Sequence, residues 1–286
     1  MTTDRKKISS RGVCVTLLIA LSFFLPQITY ATLTIDGHAN ADAGNSPSLT
    51  TSQTNDIIVL DVANESGSAS IITISNVTDT AGLHWYKRSA TSSAIIQGYG
   101  GGAFGTDSEV WWALASSKLT NDSITPTFSG TYDCDASVAF GVNGANTTSP
   151  WDTNASLPQY AQAISGGTPS VSNISTTNVN AMLLGFLGTA DYGDDEGGTS
   201  YPAGSSYSVI DTGLAPNCGF AATAEAEYRV VSSAQSGATI AFGHTAPTGW
   251  FMTGDAIIDA SQPSGRIIRL RGGVRLRGGV RLSPGH

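Results

Sequence analysis

Glu109-Val-Trp-Trp-Ala-Leu-Ala-Ser-Ser117 is echoed by Glu225-Ala-Glu-Tyr-Arg-Val-Val-Ser-Ser233, and the fold turns on how these two runs are read. Neighbouring side chains of a β-strand point to opposite faces, so Trp111 and Trp112 cannot both enter one core. An earlier pair matches as well: Leu49-Thr-Thr-Ser-Gln-Thr-Asn-Asp-Ile-Ile-Val-Leu60 resembles Ile174-Ser-Thr-Thr-Asn-Val-Asn-Ala-Met-Leu-Leu-Gly185. Each Glu-led run is followed by a strand pattern (124–128 or 239–242) and then by an aliphatic one (138–142 or 256–258). A repeated order of elements predicts two pseudo-equivalent halves, roughly 45–145 and 170–260, contributing to one sandwich. Residues 150–168 read as the connector, and two separate domains are the alternative arrangement.

Working outward, nearly every other element is a short β-prone run bounded by Gly, Asn, Asp, Ser or Pro. The remaining candidates are 32–35, 56–62, 70–75, 83–88, 136–142, 169–175, 181–188, 206–210, 221–231 and 251–258. No segment sustains the three-to-four-residue apolar spacing of a helix over three turns. Apolar residues are 40% of the 286, enough for a packed core, while charged residues are only 13%. The expectation is an all-β protein, an antiparallel β-sandwich or jelly roll.

Three motifs carry a family resemblance: Glu109-Val-Trp-Trp-Ala-Leu-Ala, Ala139-Phe-Gly-Val-Asn-Gly-Ala-Asn146 with Pro150, and Gly254-Asp-Ala-Ile257. They resemble a loosely defined group of secreted microbial β-sandwich proteins, surface and phage-associated, mostly without assigned function. The resemblance covers roughly residues 45–260 and implies fold and location.

Residues 1–31 have the plan of a secretory signal peptide. Arg5, Lys6, Lys7 and Arg11 precede an apolar run from Val13 to Leu25, and Ala31 follows. That run is shorter than the ~18–20 residues a membrane span needs. Cleavage would leave Cys134 and Cys218, for which export predicts a disulfide; two separately buried thiols are the alternative. Neither has histidines near enough in sequence for a zinc site.

Charge divides the mature chain. Residues 32–260 hold four cationic residues (Lys87, Arg88, Lys118, Arg229) against 21 acids, a net −17, which argues against a nucleic-acid groove. Residues 261–286 hold six Arg and no acid. This tail contains RGGVRL twice, with aliphatic residues at even positions from Ile268 and Arg269, Arg271, Arg275, Arg277 and Arg281 at odd ones. A two-residue hairpin at Gly-Gly would pair Leu270 with Arg275 and mix the two sets. Parity therefore predicts one continuous strand, about 50 Å long, with an aliphatic and a basic face. Its expected partner is a sheet edge of its own or another subunit with acidic surface, or an anionic envelope surface; a disordered basic tail is the alternative.

Candidate chemistry is sparse. Glu109 and Glu227 lie on corresponding strands near aromatics. Retaining jelly-roll glycosidases hold two carboxylates about 5–5.5 Å apart, so this pair is the catalytic candidate. Asp191, Asp194, Asp195 and Glu196 crowd a Gly-rich loop that reads first as a solvated acidic loop without a cofactor; calcium, which hard oxygen ligands suit, is the alternative, and Asp133 and Asp135 are a weaker pair. His38, His84 and His244 lack metal-ligand spacing. There is no Gly-x-Ser-x-Gly elbow, and Gly98 to Gly105 lacks a phosphate loop's Gly-Lys-Ser/Thr ending and reads as a flexible hairpin loop. Trp85, Trp111, Trp112, Trp151 and Trp250 offer sugar-stacking surfaces or core packing. Six Asn-x-Ser/Thr sequons begin at Asn64, Asn76, Asn121, Asn146, Asn154 and Asn173, a pattern of surface proteins. The leading expectation is a secreted, non-enzymatic surface or extracellular protein acting in adhesion or assembly through its tail. A carbohydrate-active protein, lectin-like or a retaining glycoside hydrolase, is the competing one.

Overall fold

A computed structural model describes residues 32–88, 93–97, 103–191, 200–215, 221–243, 249–261, 268–269, 275–277 and 281–283. The first half contributes β1 (Thr34–Asp42), β2 (Ser48–Leu49), β3 (Asp56–Glu65), β4 (Ile74–Asp79), β5 (Trp85–Lys87), β6 (Ser93–Gln97), β7 (Ala103–Ala115), β8 (Asp122–Phe128) and β9 (Cys134–Asn143). The second contributes β10 (Gln159–Ala163), β11 (Ser170–Ile174), β12 (Ala181–Asp191), β13 (Ser208–Ala215), β14 (Ala221–Val231), β15 (Ala238–Ala241) and β16 (Trp250–Ile258). The tail contains β17 (Ile268–Arg269), β18 (Arg275–Arg277) and β19 (Arg281–Ser283). Among the described residues there is no helix, and every strand pairing is antiparallel.

Each half builds one main sheet, β1-β9-β3-β7-β5 with β6 also on β7, and β10-β16-β12-β14-β13. The sheets pack face to face over Ile57, Val59, Phe140, Met182, Leu184 and Phe186. Their outer faces are covered too. β2-β8-β4 covers the first over Leu60, Trp111 and Ile124, and β11-β15 covers the second over Leu183, Ile240 and Met252. Covering both faces explains why β3, read residue by residue, is buried throughout and carries almost no polar alternation.

The two halves are equivalent in register. Val62 faces Glu109 across β3 and β7 as Leu187 faces Glu225 across β12 and β14. Val62 faces Ser137 as Leu187 faces Met252. Ala41 faces Ser137 as Ala161 faces Met252, so β1 corresponds to β10. The short β5 and β6 together match the bulged β13, since Lys87 faces Trp111 as Val209 faces Glu227, and Ser93 faces Asp107 as Leu214 faces Thr223. Ala63 and Gly188 are equivalent positions, and they meet across the core: a Cβ on Gly188 would lie 3.3 Å from that of Ala63 and 2.9 Å from that of Ser108. Equivalent positions in mutual contact place a pseudo-two-fold axis between them.

Two expectations need correction. The connector contains β10, an integral strand; Gln159-Tyr-Ala-Gln-Ala163 lacks the β-branched residues that announce one. The tail is not one continuous strand. Ile268 pairs with Leu276, Arg269 with Arg275, Leu276 with Leu282 and Arg277 with Arg281, a three-stranded meander. Two-residue turns were the wrong premise. With an odd number of residues between paired positions, the chain reverses and like still faces like, so parity does not oppose turning.

Candidate binding cleft at the edge of the sandwich

β5 is an edge strand, and its inner face extends into an opening between the two main sheets. Alternation along His84-Trp85-Tyr86-Lys87-Arg88 sends Trp85 and Lys87 to the outer face, and His84, Tyr86 and Arg88 to the inner one. Tyr86 is paired with Trp112 of β7, and their rings stack with centroids 5.0 Å apart and planes 27° apart. His84 meets the edge of Tyr86 at 4.6 Å and 82°. Trp112 packs partly against the inner core while Tyr86 stays 47% exposed, which makes a shelf open to solvent.

Arg88 carries the shelf inward. Its guanidinium forks onto the buried Asp255 of β16, Nε at 2.7 Å and Nη2 at 3.1 Å, and lies 4.8 Å from the centroid of Trp151. Burial pushes the Asp255 carboxyl above its ordinary value even against the pull of Arg88. A cavity of about 450 Å³ opens here, lined by Arg88, Trp112, Ser149, Trp151, Asp152 and Asn154 among others. Asp152 fixes the lining loop by accepting from the backbone N–H groups of Asn154 (2.8 Å), Thr177 (2.9 Å) and Asn178 (3.0 Å). Among the described residues the buried Trp151 Nε1 finds no acceptor. Flat aromatic faces beside hydroxyl and amide groups suit a sugar ring, apolar on its C–H face and polar at its rim.

The catalytic candidates fare differently. Glu109 belongs to the first main sheet and Glu227 to the second. Glu109 shares its face with Trp111 and the outer layer β2-β8-β4, while Glu227 lies opposite Ala226 on the face towards β11-β15. The two carboxyls point away from each other with the sandwich core between them, so they cannot act on one glycosidic bond. Both are engaged locally: Glu109 accepts from Ile74 N–H (3.2 Å), from Trp111 Nε1 (2.8 Å) and from Lys87 Nζ (2.6 Å), and Glu227 accepts from Gly204 N–H (2.8 Å). Glu225, the register equivalent of Glu109, accepts from Tyr201 N–H at 2.7 Å. In both halves, then, outer-face carboxyls hook the segment crossing above them. Burial raises the Glu225 carboxyl to about 8 and that of Glu227 to about 7.

The remaining candidates are dispersed. Trp111 is buried in the outer core of the first half, so of the two adjacent tryptophans only Trp112 serves the cleft. Trp85 is buried and donates to Asp79 Oδ2 at 2.6 Å. Asp191 ends β12, while Asp194, Asp195 and Glu196 lie outside the described residues. Among the described residues no three metal-ligating side chains gather, and the buried Asp135 accepts from Gly44 N–H at 2.6 Å. His38 contacts Asp211 at 2.7 Å, tying β1 to β13. Cys134 is wholly buried and Cys218 lies outside the described residues, as does Arg271; Arg269, Arg275 and Arg277 lie on the tail strands. Of the sequons, Asn64 is buried, whereas Asn76, Asn121 and Asn173 are exposed.

Sequence reasoning missed Tyr86, Arg88 and the joint role of Trp151. The alternation 84–88 was a usable signal for the shelf; nothing local announces that Arg88 reaches Asp255, 167 positions on. No protein-family model, curated protein or solved structure matches the chain.

Proposed function

We propose that the chain is an exported, non-enzymatic β-sandwich module of the cell surface or extracellular space, and that it acts in adhesion by binding a saccharide at the Tyr86–Trp112 shelf. The observation that carries this reading is a stacked aromatic pair beside a 450 Å³ cavity with a polar-rimmed lining. The strand carboxyls, by contrast, hold backbone. The signal-like leader, the exposed sequons and the resemblance to secreted microbial sandwiches point the same way. Glycan-array screening followed by titration tests it. Trp112→Ala and Tyr86→Ala are expected to lower affinity for any captured glycan at least about tenfold, in line with the cost of losing a stacked aromatic. Unchanged affinity in both variants, with the fold intact by circular dichroism, overturns it.

The tail supports assembly as a second reading. Its pairing sets Arg269 opposite Arg275 and Arg277 opposite Arg281, and directly opposed like charges are unfavourable without an anionic partner. Acidic surface on another copy, whose body carries −17, meets that need. Light scattering with and without residues 265–286, at low and high salt, reads this out; full-length protein that stays monomeric at low salt overturns it. A disulfide between Cys134 and Cys218 belongs to the same proposal. Cys134 Sγ lies 3.2 Å from the carbonyl oxygen of Ala215, three positions before Cys218. Thiol titration of denatured mature protein is expected to find no free cysteine.

A further inference from the structure

Lys87, Glu109 and Asp107 form a compact group that the binding cleft does not use. Lys87 sits on β5, with 36% of its side chain exposed; its Nζ reaches inward over the Trp111 ring, 5.3 Å from the centroid, and ends 2.6 Å from Glu109 Oε1. Glu109 is buried, and its carboxyl is held in place by Trp111 Nε1 on one oxygen and Ile74 N–H on the other. Two positions back on the same face, Asp107 is buried beside Glu109. Burial first and the neighbouring Glu109 second push the Asp107 carboxyl up to about 9, so it keeps its proton at neutral pH. A fixed electrophilic carboxyl, an amine in contact with it and a protonated acid beside it are the parts that amide formation requires.

We propose that Lys87 and Glu109 condense to an isopeptide bond that joins β5 covalently to β7, with Asp107 as the acid. The Lys87 ammonium passes a proton to the Glu109 carboxylate across their contact, giving a neutral amine and carboxylic acid. Nζ then attacks Cδ of Glu109 while Asp107 donates its proton to a carboxyl oxygen. The C–O bond to that protonated oxygen breaks, water leaves, and Asp107 recovers a proton from Nζ. Ammonium plus carboxylate thus become amide plus water, with no other reactant. The bond pins the edge strand that carries Tyr86 and leads into Arg88, and whose main-sheet neighbour among the described residues is β7. In the second half the positions of Lys87 and Asp107 are filled by Val209 and Thr223, so the equivalent Glu225 has no amine to meet.

Intact-mass spectrometry of the mature protein decides it, with tandem sequencing to locate the link. The expected result is a mass 18 Da below that of the sequence, after allowing for any disulfide, and a fragment joining Lys87 to Glu109. Lys87→Arg, which keeps the ion pair, and Asp107→Asn, which removes the acid, are each expected to show the full sequence mass while binding remains measurable. Wild-type protein of full mass overturns the proposal, as does an 18 Da deficit that persists in Lys87→Arg.

Discussion

The two halves share one strand order and one register, yet they use the same positions for different ends. Trp112, stacked with Tyr86 in the first half, corresponds to Tyr228 facing Ser208 in the second. Asp61 of β3 corresponds to Phe186 of β12, and Phe140 of β9 to Asp255 of β16. Phe140 and Phe186 meet across the core with centroids 6.3 Å apart, and the pseudo-two-fold operation carries that apolar contact onto the Asp255 and Asp61 positions. One end of the inter-sheet layer is therefore sealed by aromatic packing. The other contains buried carboxyls and opens into the cleft. Backbone geometry is conserved between the halves because register depends on which face must be buried; the surface chemistry of the two ends diverged because it depends on single side chains.

The largest expected effect comes from breaking the sealed end. Phe186→Ala is expected to cost about 3–5 kcal/mol, as for a fully buried aromatic, measured by urea denaturation. Gly188→Val attacks the axis itself: the added atoms would collide with Ser108 and Ala63, and overpacking of this kind costs about 1–3 kcal/mol. The reciprocal Ala63→Gly should cost less, because it relieves the contact instead of crowding it. If Gly188→Val is as stable as wild type, the two-fold contact is not tight.

Acidity separates the halves less but shifts the whole molecule. Glu65 and Glu227 are raised to about 7, Glu225 to about 8 and Asp107 to about 9, burial being the first cause in all four. Unfolded carboxyls release their protons near pH 4, so between about 4 and 9 the folded state binds more protons than the unfolded one. Stability must then fall as pH rises through that window and level off above it. Thermal unfolding is expected to give a Tm at pH 5 higher than at pH 8.5 by at least about 5 °C. The smallest effect sharpens the comparison at a single site. Asp61 is fully buried, neither oxygen has a hydrogen-bond partner in good geometry, and only Ser108 pulls its raised pKa back down. Asp61→Leu is expected to stabilise by about 1 kcal/mol at pH 8, since an unsatisfied polar group gives way to an apolar one.

Much of this arrangement could be read from the chain beforehand. The likeness of 49–60 to 174–185 and of 109–117 to 225–233 aligned β3 with β12 and β7 with β14 in their true register, because core-facing positions repeat with the sheet. Which sheet each strand joins could not be read. Glu109 and Glu227 were legible as strand carboxylates, one from each half; that alternation turns both outward from the two sheets was not. β10 escaped notice because Gln and Ala carry little β signal. β6 escaped because Ser93-Ala-Ile-Ile-Gln97 holds only two β-prone residues, adjacent and without alternation. The tail's odd-numbered turns were hidden by an assumption about loop length, not by the residues themselves.

The shelf has no twin in the second half. Exact internal two-fold symmetry would have given two equivalent shelves; Ser208 in place of Tyr86 leaves one. On the saccharide-binding reading proposed above, one chain offers one such shelf. Lasting attachment then has to come from many copies held side by side, where each rebinding event is a local one and avidity grows with the number of chains presented.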